Sequence, residues 1–231
     1  MSERQRKIYQ SDGDRYEALI SREDYQRNIP RALDEIVNVD GLDIADLGSG
    51  TGRLAVMLAP RAKSMQAFDM AEEMLRVCRE RLEASGLSNW QVQVADHRSI
   101  PVDDHCVDLV VSGWSVAYLY VWNPETWRIE LEKWLGEMKR ILRPGSFIVL
   151  FESLGTGNES PIQLEHLKEY YPWLDEVGFQ NKWIRTDMKF ESLEEAVELS
   201  SFFFGDEFGE KVRQNNWVIL PECTGVWWLQ V

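Results

Sequence analysis

Apolar positions along the chain alternate between two spacings. Leu42, Ile44 and Ala45 form a short apolar run that reads as a buried strand, and Leu54, Ala55, Met57, Leu58 and Ala59 form the stripe of a helix. The same alternation continues downstream. Ser64-Met65-Gln66-Ala67-Phe68 predicts a second strand, and Met74, Leu75, Cys78 and Leu82 predict a helix over 71–86 that Gly86 ends. Trp90–Ala95 and Cys106–Val111 read as the third and fourth strands. Asn123 as N-cap and Pro124 predict the start of a helix over 125–142, and Ser146–Phe151 a fifth strand. A helix over 162–177 carries Leu164, Leu167, Tyr170, Tyr171, Trp173 and Leu174, and a sixth strand covers 183–188. Ser192-Leu193-Glu194-Glu195 is a capping box opening a helix through Phe202, part of an insertion over 191–215 before a last strand at 226–231. Strands that alternate with helices predict an α/β chain with helices on both faces of a mostly parallel sheet.

Residues 1–40 precede the sheet. Ile8-Tyr9 and Tyr16–Ile20 suggest a short helix, and Asp24 is placed to cap a second one from Tyr25 through Leu33, Ile36 and Val37. Between the first strand and its helix lies Asp46-Leu47-Gly48-Ser49-Gly50-Thr51-Gly52. Glycines at 48, 50 and 52 let the backbone turn sharply and approach a ligand, beside the N–H groups at the helix start. The G-x-G-x-G order differs from the G-x-G-x-x-G of dinucleotide sites, where the third glycine packs a helix around a pyrophosphate. Asp69 stands at the end of the second strand, where a carboxylate can accept both hydroxyls of a ribose, or cap the helix that follows. Asp96 closes the third strand, and Leu142-Arg143-Pro144-Gly145 turns into the fifth.

In this order, from Asp46 to about Phe151, the motifs resemble those of class I S-adenosylmethionine-dependent methyltransferases, of the type 11/25-like, small-molecule branch. The resemblance implies a Rossmann-like seven-stranded mostly parallel sheet, an N-terminal helical cap over 1–40, a cofactor-binding core over 41–151 and a substrate-side part over 152–231, all in one domain. It implies S-adenosylmethionine as cofactor, S-adenosylhomocysteine as product, and a cofactor site drawn from Asp46, Gly48, Ser49, Gly50, Gly52, Asp69, Met70, Asp96, His97 and Ser112. Tyr16, Arg22 and Tyr25 of the cap are placed to touch the methionine end or the substrate, and Asp96 with the His97 N–H to meet the adenine.

The chain holds 39 acidic residues against 25 Lys plus Arg, a formal charge of −14. Such a surface disfavours a phosphate backbone, so nucleic acid is not an expected partner. Ser112-Gly113-Trp114-Ser115 also departs from the Asn/Asp-Pro-Pro-aromatic motif of nucleic-acid amino-methylating relatives. No apolar run is long enough to span a bilayer, and Met1–Lys7 starts basic without an apolar stretch behind it, so neither a membrane span nor a secretory signal is expected. Cys78, Cys106 and Cys223 lack C-x-x-C spacing and read as reduced thiols of a cytoplasmic protein.

The expected reaction is in-line transfer of the sulfonium methyl to an O, N, S or C nucleophile of a small molecule, without metal. Proximity and alignment carry most of such a reaction, and a base is needed only where the nucleophile must lose a proton. Glu152, His97, Tyr118 and His166 are the candidates for that base, and Trp114, Tyr118 and Glu152 the candidates to touch substrate. Trp122 and Trp173 could also line an apolar or cation-binding pocket, and the aromatic run Phe202–Phe208 is expected to be mainly core. A protein or peptide acceptor, and a cofactor-binding regulator without turnover, are the alternative readings.

Overall fold

The computed structural model describes residues 3–231; Met1 and Ser2, part of the basic start, lie outside the described residues. Three helices come first, α1 (Glu3–Ser11), α2 (Gly13–Ile20) and α3 (Asn28–Asp34). The alternating part runs β1 (Asp43–Leu47), α4 (Arg53–Leu58), β2 (Ser64–Asp69), α5 (Glu72–Ala84), β3 (Trp90–Val94), β4 (Val107–Gly113), α6 (Ala117–Trp122), α7 (Trp127–Ile141) and β5 (Leu142–Thr156). A 3-10 turn at Glu165–Leu167, α8 (Tyr170–Glu176) and β6 (Gln180–Arg185) follow. The chain ends with β7 (Met188–Lys189), α9 (Leu193–Phe204), α10 (Asp206–Gln214), β8 (Ile219–Leu220) and β9 (Glu222–Gln230).

Seven strands pair in the order β3-β2-β1-β4-β5-β9-β6, parallel except for antiparallel β9. This is the expected Rossmann-like α/β sheet, with the N-terminal helical cap and the helical insertion also present. Every residue of β1 is buried, as a strand covered on both faces must be. Successive side chains point to opposite faces, so Ala45 and Leu47 join a core with Trp134, Met138 and Trp173, while Ile44 joins one with Leu33, Leu58 and Leu82. Trp227 and Trp228 divide between the same two faces. The order reverses at β1, between β2 and β4, and the crevice at such a switch point is where open α/β sheets bind ligands.

Several boundaries differ from the sequence reading. Asp24, at φ 56°, accepts the Asn28 and Ile29 N–H groups at 2.7 and 2.9 Å, so the capped helix begins at Asn28 and not at Tyr25. Asn123 does not open α7; its side chain donates to Leu119 O at 2.9 Å and closes α6, a helix the sequence did not signal. The helix expected over 162–177 is split into the 3-10 turn and α8. Pro172 then falls in the first turn of α8, where its missing N–H is harmless, whereas inside a longer helix it would remove a ladder bond. β5 extends through a bulge at Ser153/Gly155, which puts Glu152 inside the strand, and the β7–β8 pair at the base of the insertion was not foreseen. Ser192 Oγ accepts the Glu195 N–H as the capping box requires, but Glu195 reaches back to the Glu191 N–H.

The insertion has its own small core. Met188, Phe190, Ala196, Leu199, Val212 and Leu220 pack around Leu19 of α2, which joins the insertion to the N-terminal cap. Among the described residues no helix is long and apolar enough to cross a membrane.

Two glycines of the loop after β1 separate strain from space. Gly48 and Gly50 have φ of 69° and 53°, but a Cβ on Gly48 would overlap Ser115 Oγ while one on Gly50 meets nothing within 4 Å. Gly50→Ala should therefore cost about 1–2 kcal/mol for the backbone alone, and Gly48→Ala at least about 2 kcal/mol more. Equal losses in denaturant unfolding would contradict this account of the loop.

Candidate active site

The loop is held by backbone and carboxylates together. Gly48 and Ser49 both donate their N–H to Phe68 O of β2, at 2.7 and 2.9 Å, and Gly52 N–H returns to Ser49 O at 2.8 Å. Asp46 lies on the α4 side of β1, and its Oδ2 accepts the Ala55 N–H in the first turn of α4 at 3.0 Å. Asp69 takes the Gly50 N–H at 2.9 Å on one oxygen and the Ala71 N–H at 2.8 Å on the other. Asp69 thus braces the loop and also closes the turn into α5.

Above this loop, at the carboxyl edge of the sheet, lies a cavity of about 400 Å³. One wall is aromatic. Tyr9 and Tyr118 hydroxyls meet at 2.9 Å, the Tyr9 and Tyr16 rings meet edge to face at 5.4 Å, and Phe203 lies 5.5 Å from Tyr16. The other wall is charged. Arg53 Nη1 donates to Glu23 at 2.7 Å, with both side chains largely buried, and its guanidinium covers the Trp114 ring at 4.0 Å. Glu152 Oε1 accepts the Ala117 N–H and the Tyr170 hydroxyl, both at 3.0 Å. Glu222 Oε1 accepts the Ser153 hydroxyl at 2.9 Å. Five buried polar atoms of the lining have no hydrogen-bond partner: Asp46 Oδ1, Ser49 Oγ, Glu23 Oε1, Arg53 Nη2 and Glu222 Oε2. Buried groups left so are expensive unless water or a ligand satisfies them.

Of the residues singled out in the sequence, Tyr16, Asp46, Gly48, Ser49, Gly50, Trp114, Tyr118 and Glu152 line this cavity, as does His166. Gly52 packs against Cys78 beneath the loop. Ser112 is buried and donates to Leu47 O at 2.6 Å. Asp69 and Asp96 stand at the strand ends beside the loop, outside the cavity lining, with Met70 exposed between them in sequence. Both oxygens of Asp96 are engaged by the Arg98 side chain, which also pairs with Glu130. His97 is buried against Ser115 Oγ at 3.3 Å. Tyr25 is exposed beneath Lys189 and does not line the cavity; pinning of its N–H to Asp187 O turns it outward. Trp122 is half exposed under Arg6, and Trp173 is plain core, so of the three tryptophans considered only Trp114 meets the cavity. In the aromatic run, Phe202 is core, but Phe203 and Phe204 face the cavity. Arg53, Glu23 and Glu222 were missed. Arg53 follows the third glycine and could have been flagged; Glu23 and Glu222 come from opposite ends of the chain.

Burial governs the electrostatics. It pushes the Asp46 carboxyl up to about 7, with the nearby Asp69 charge adding to it. It pushes Glu152 up to about 7 against two hydrogen bonds, and Glu222 up to about 8 with Glu23 beside it. The Tyr118 phenol is raised by burial, so it remains protonated and serves as a donor, not a base. Burial lowers the His97 imidazole and keeps it neutral. A carboxyl raised in the folded state contributes stability present below its unfolded pKa and lost as pH rises through its folded one. Asp46, Glu152 and Glu222 should therefore weaken the protein between about pH 4 and 8. Glu152→Gln should flatten that slope and exceed the wild type by about 1–3 kcal/mol near pH 8.5; identical pH profiles of thermal unfolding would contradict the assignment.

Comparison with known proteins agrees with this geometry. Residues 44–145 match the family model described as a methyltransferase domain. The chain is 33% identical over 124 residues to demethylmenaquinone methyltransferase of Thermus thermophilus, covering 53% of this chain and 52% of that one. It is 28% identical over 144 residues to malonyl-[acyl-carrier protein] O-methyltransferase of Pectobacterium atrosepticum, covering 62% and 49%. The chain thus spans about half the length of the curated relatives it matches. A solved SAM-dependent methyltransferase from Aquifex aeolicus superposes with a TM-score of 0.55 at 18% identity, covering 87% of this chain and 89% of that one, which shows the shared fold. With the G-x-G-x-G loop, the acids closing β2 and β3 and this strand order, residues 44–145 match the methyltransferase-domain family and the chain has the fold of the class I S-adenosylmethionine-dependent methyltransferases.

Proposed function

We propose that the protein transfers a methyl group from S-adenosylmethionine to a small molecule held in the cavity. One observation carries the reading: the loop that would receive the cofactor and a buried carboxyl able to take a proton, Glu152, line the same cavity. A concave cavity of about 400 Å³ partly covered by helices favours a small acceptor over a peptide segment. The relatives named for malonyl-acyl-carrier protein and demethylmenaquinone, both methyltransferases, support the reaction class.

The unpartnered donors Ser49 Oγ and Arg53 Nη2 fit the carboxylate of an amino-acid ligand, with Asp46 Oδ1 available to its ammonium. Tyr16 closes over that end. Asp69 keeps lone pairs on both oxygens for the ribose hydroxyls. Asp96 and the His97 N–H take the adenine edge, with Arg98 orienting the Asp96 carboxylate, and Met70 covers the ring. The bound cofactor supplies an electrophilic methyl on a sulfonium whose thioether leaves readily. The chain then has to align the nucleophile, exclude water and accept a proton. Glu152, oriented by Ala117 and Tyr170, accepts it, while Tyr118, held by Tyr9, donates to the acceptor. Since only the ionised Glu152 is a base, turnover should rise with pH through about 7.

Asp69→Ala should raise the S-adenosylmethionine Kd by roughly 10- to 150-fold, from the loss of about 1.5–3 kcal/mol of charged hydrogen bonds. Wild-type affinity by calorimetry in a folded variant would remove Asp69 from the ribose. Glu152→Gln should leave that Kd within about twofold and slow S-adenosylhomocysteine release roughly 100-fold or more with an acceptor that turns over; an unchanged rate would exclude it as base.

A further inference from the structure

The charged wall holds more acid than the transfer needs. Glu23, Glu152 and Glu222 reach the cavity from α2's C-terminal extension, β5 and β9, and the guanidinium opposite them, Arg53, is already paired with Glu23. Glu222 is buried to 2% exposure, and while Ser153 satisfies Oε1, Oε2 has no partner. Glu23 Oε1 is equally without one. An anion is disfavoured here, because it would meet three carboxyls and an arginine already shared between Glu23 and the carboxylate end of the cofactor. A divalent cation is disfavoured as well: Arg53 sits within the cluster, and among the described residues no group of three or more His, Cys, Asp and Glu side chains could hold a metal ion. A neutral hydroxyl could donate one hydrogen bond but brings no charge with which the buried carboxyls could ionise. An ammonium offers both several donors and the compensating charge. The rings of Tyr9, Tyr16, Phe203 and Phe204 in the same lining suit an apolar body attached to it and can flank a cation.

We infer that the acceptor is a small amphipathic amine whose ammonium is received by Glu222, with Glu23 beside it, and whose apolar body lies against the aromatic wall. The inference rests on the methyl-transfer reading, since it assigns the acceptor half of the same cavity. Glu222 acts as a specificity determinant and takes no part in the bond changes.

The test is calorimetric titration of the wild-type protein, saturated with S-adenosylhomocysteine, with phenethylamine, the neutral phenethyl alcohol and the anionic phenylpropanoate. The amine should bind at least about tenfold more tightly than the alcohol, as charge-assisted hydrogen bonds exceed neutral ones by that order, and the carboxylate should not bind. Glu222→Gln should lose about tenfold or more on the amine while keeping the S-adenosylhomocysteine Kd within about twofold. Equal binding of amine and alcohol, binding of the carboxylate, no binding of the amine, or an amine affinity indifferent to Glu222→Gln would overturn the inference. The wild-type comparison stands even if the variant does not fold. S-adenosylhomocysteine binding is read first and separately, so its failure sinks the methyl-transfer reading, whereas amine failure on a loaded protein sinks only the acceptor assignment.

Discussion

The hydrogen bond from Ala55 N–H to the buried Asp46 carboxyl is the constraint on which the site depends. It joins the end of β1 to the first turn of α4 across a glycine-rich loop. A carboxylate at a helix N-terminus gains from the unpaired N–H groups and the helix dipole, and this offsets part of the penalty for burying it. The penalty still dominates, as the raised Asp46 pKa shows. With strand and helix clamped, Gly48 and Ser49 reach Phe68 O and Gly50 reaches Asp69, so the loop becomes a fixed rim.

The roof of the cavity is tied to that rim. The Thr51 hydroxyl donates to Glu17 of α2, and Arg81 of α5 binds both Glu17 and Thr51 O. Further along, Asp24 and Tyr25 donate their N–H groups to Thr186 O and Asp187 O, next to the β7 end of the insertion. Leu19 then buries itself in the insertion's core. The N-terminal helices and the insertion are therefore one packed unit bonded to the loop, and the aromatic wall of Tyr9, Tyr16 and Phe203 is assembled from both. A change in the loop would be felt in the roof through Thr51 and Glu17.

The parts legible in the sequence were those specified locally. A buried strand, a glycine turn and an apolar helix stripe are neighbours in sequence, and so were read together with Asp69 and Asp96 at the following strand ends. That both faces of the sheet are covered follows from the alternation itself. The parts that were not legible depend on contacts between distant segments. Ser115–Trp122 offers no cap or amphipathic pattern, and α6 forms because Glu152 receives its first N–H and Asn123 closes its end. Glu222 and Glu23 are separated by nearly the whole chain, and nothing near either marks it as a cavity residue. Pro172 is a local signal that the sequence reading left out, since its place within 162–177 argues against one continuous helix.

Calorimetric titration of the wild-type protein with S-adenosylmethionine and, separately, with NAD tests the account most directly, because both ligands use glycine loops at the first strand of such sheets. The account predicts a single saturable site for S-adenosylmethionine, an accompanying rise in thermal stability, and no binding of NAD. Binding of NAD, or failure to bind S-adenosylmethionine by a folded protein, would contradict it.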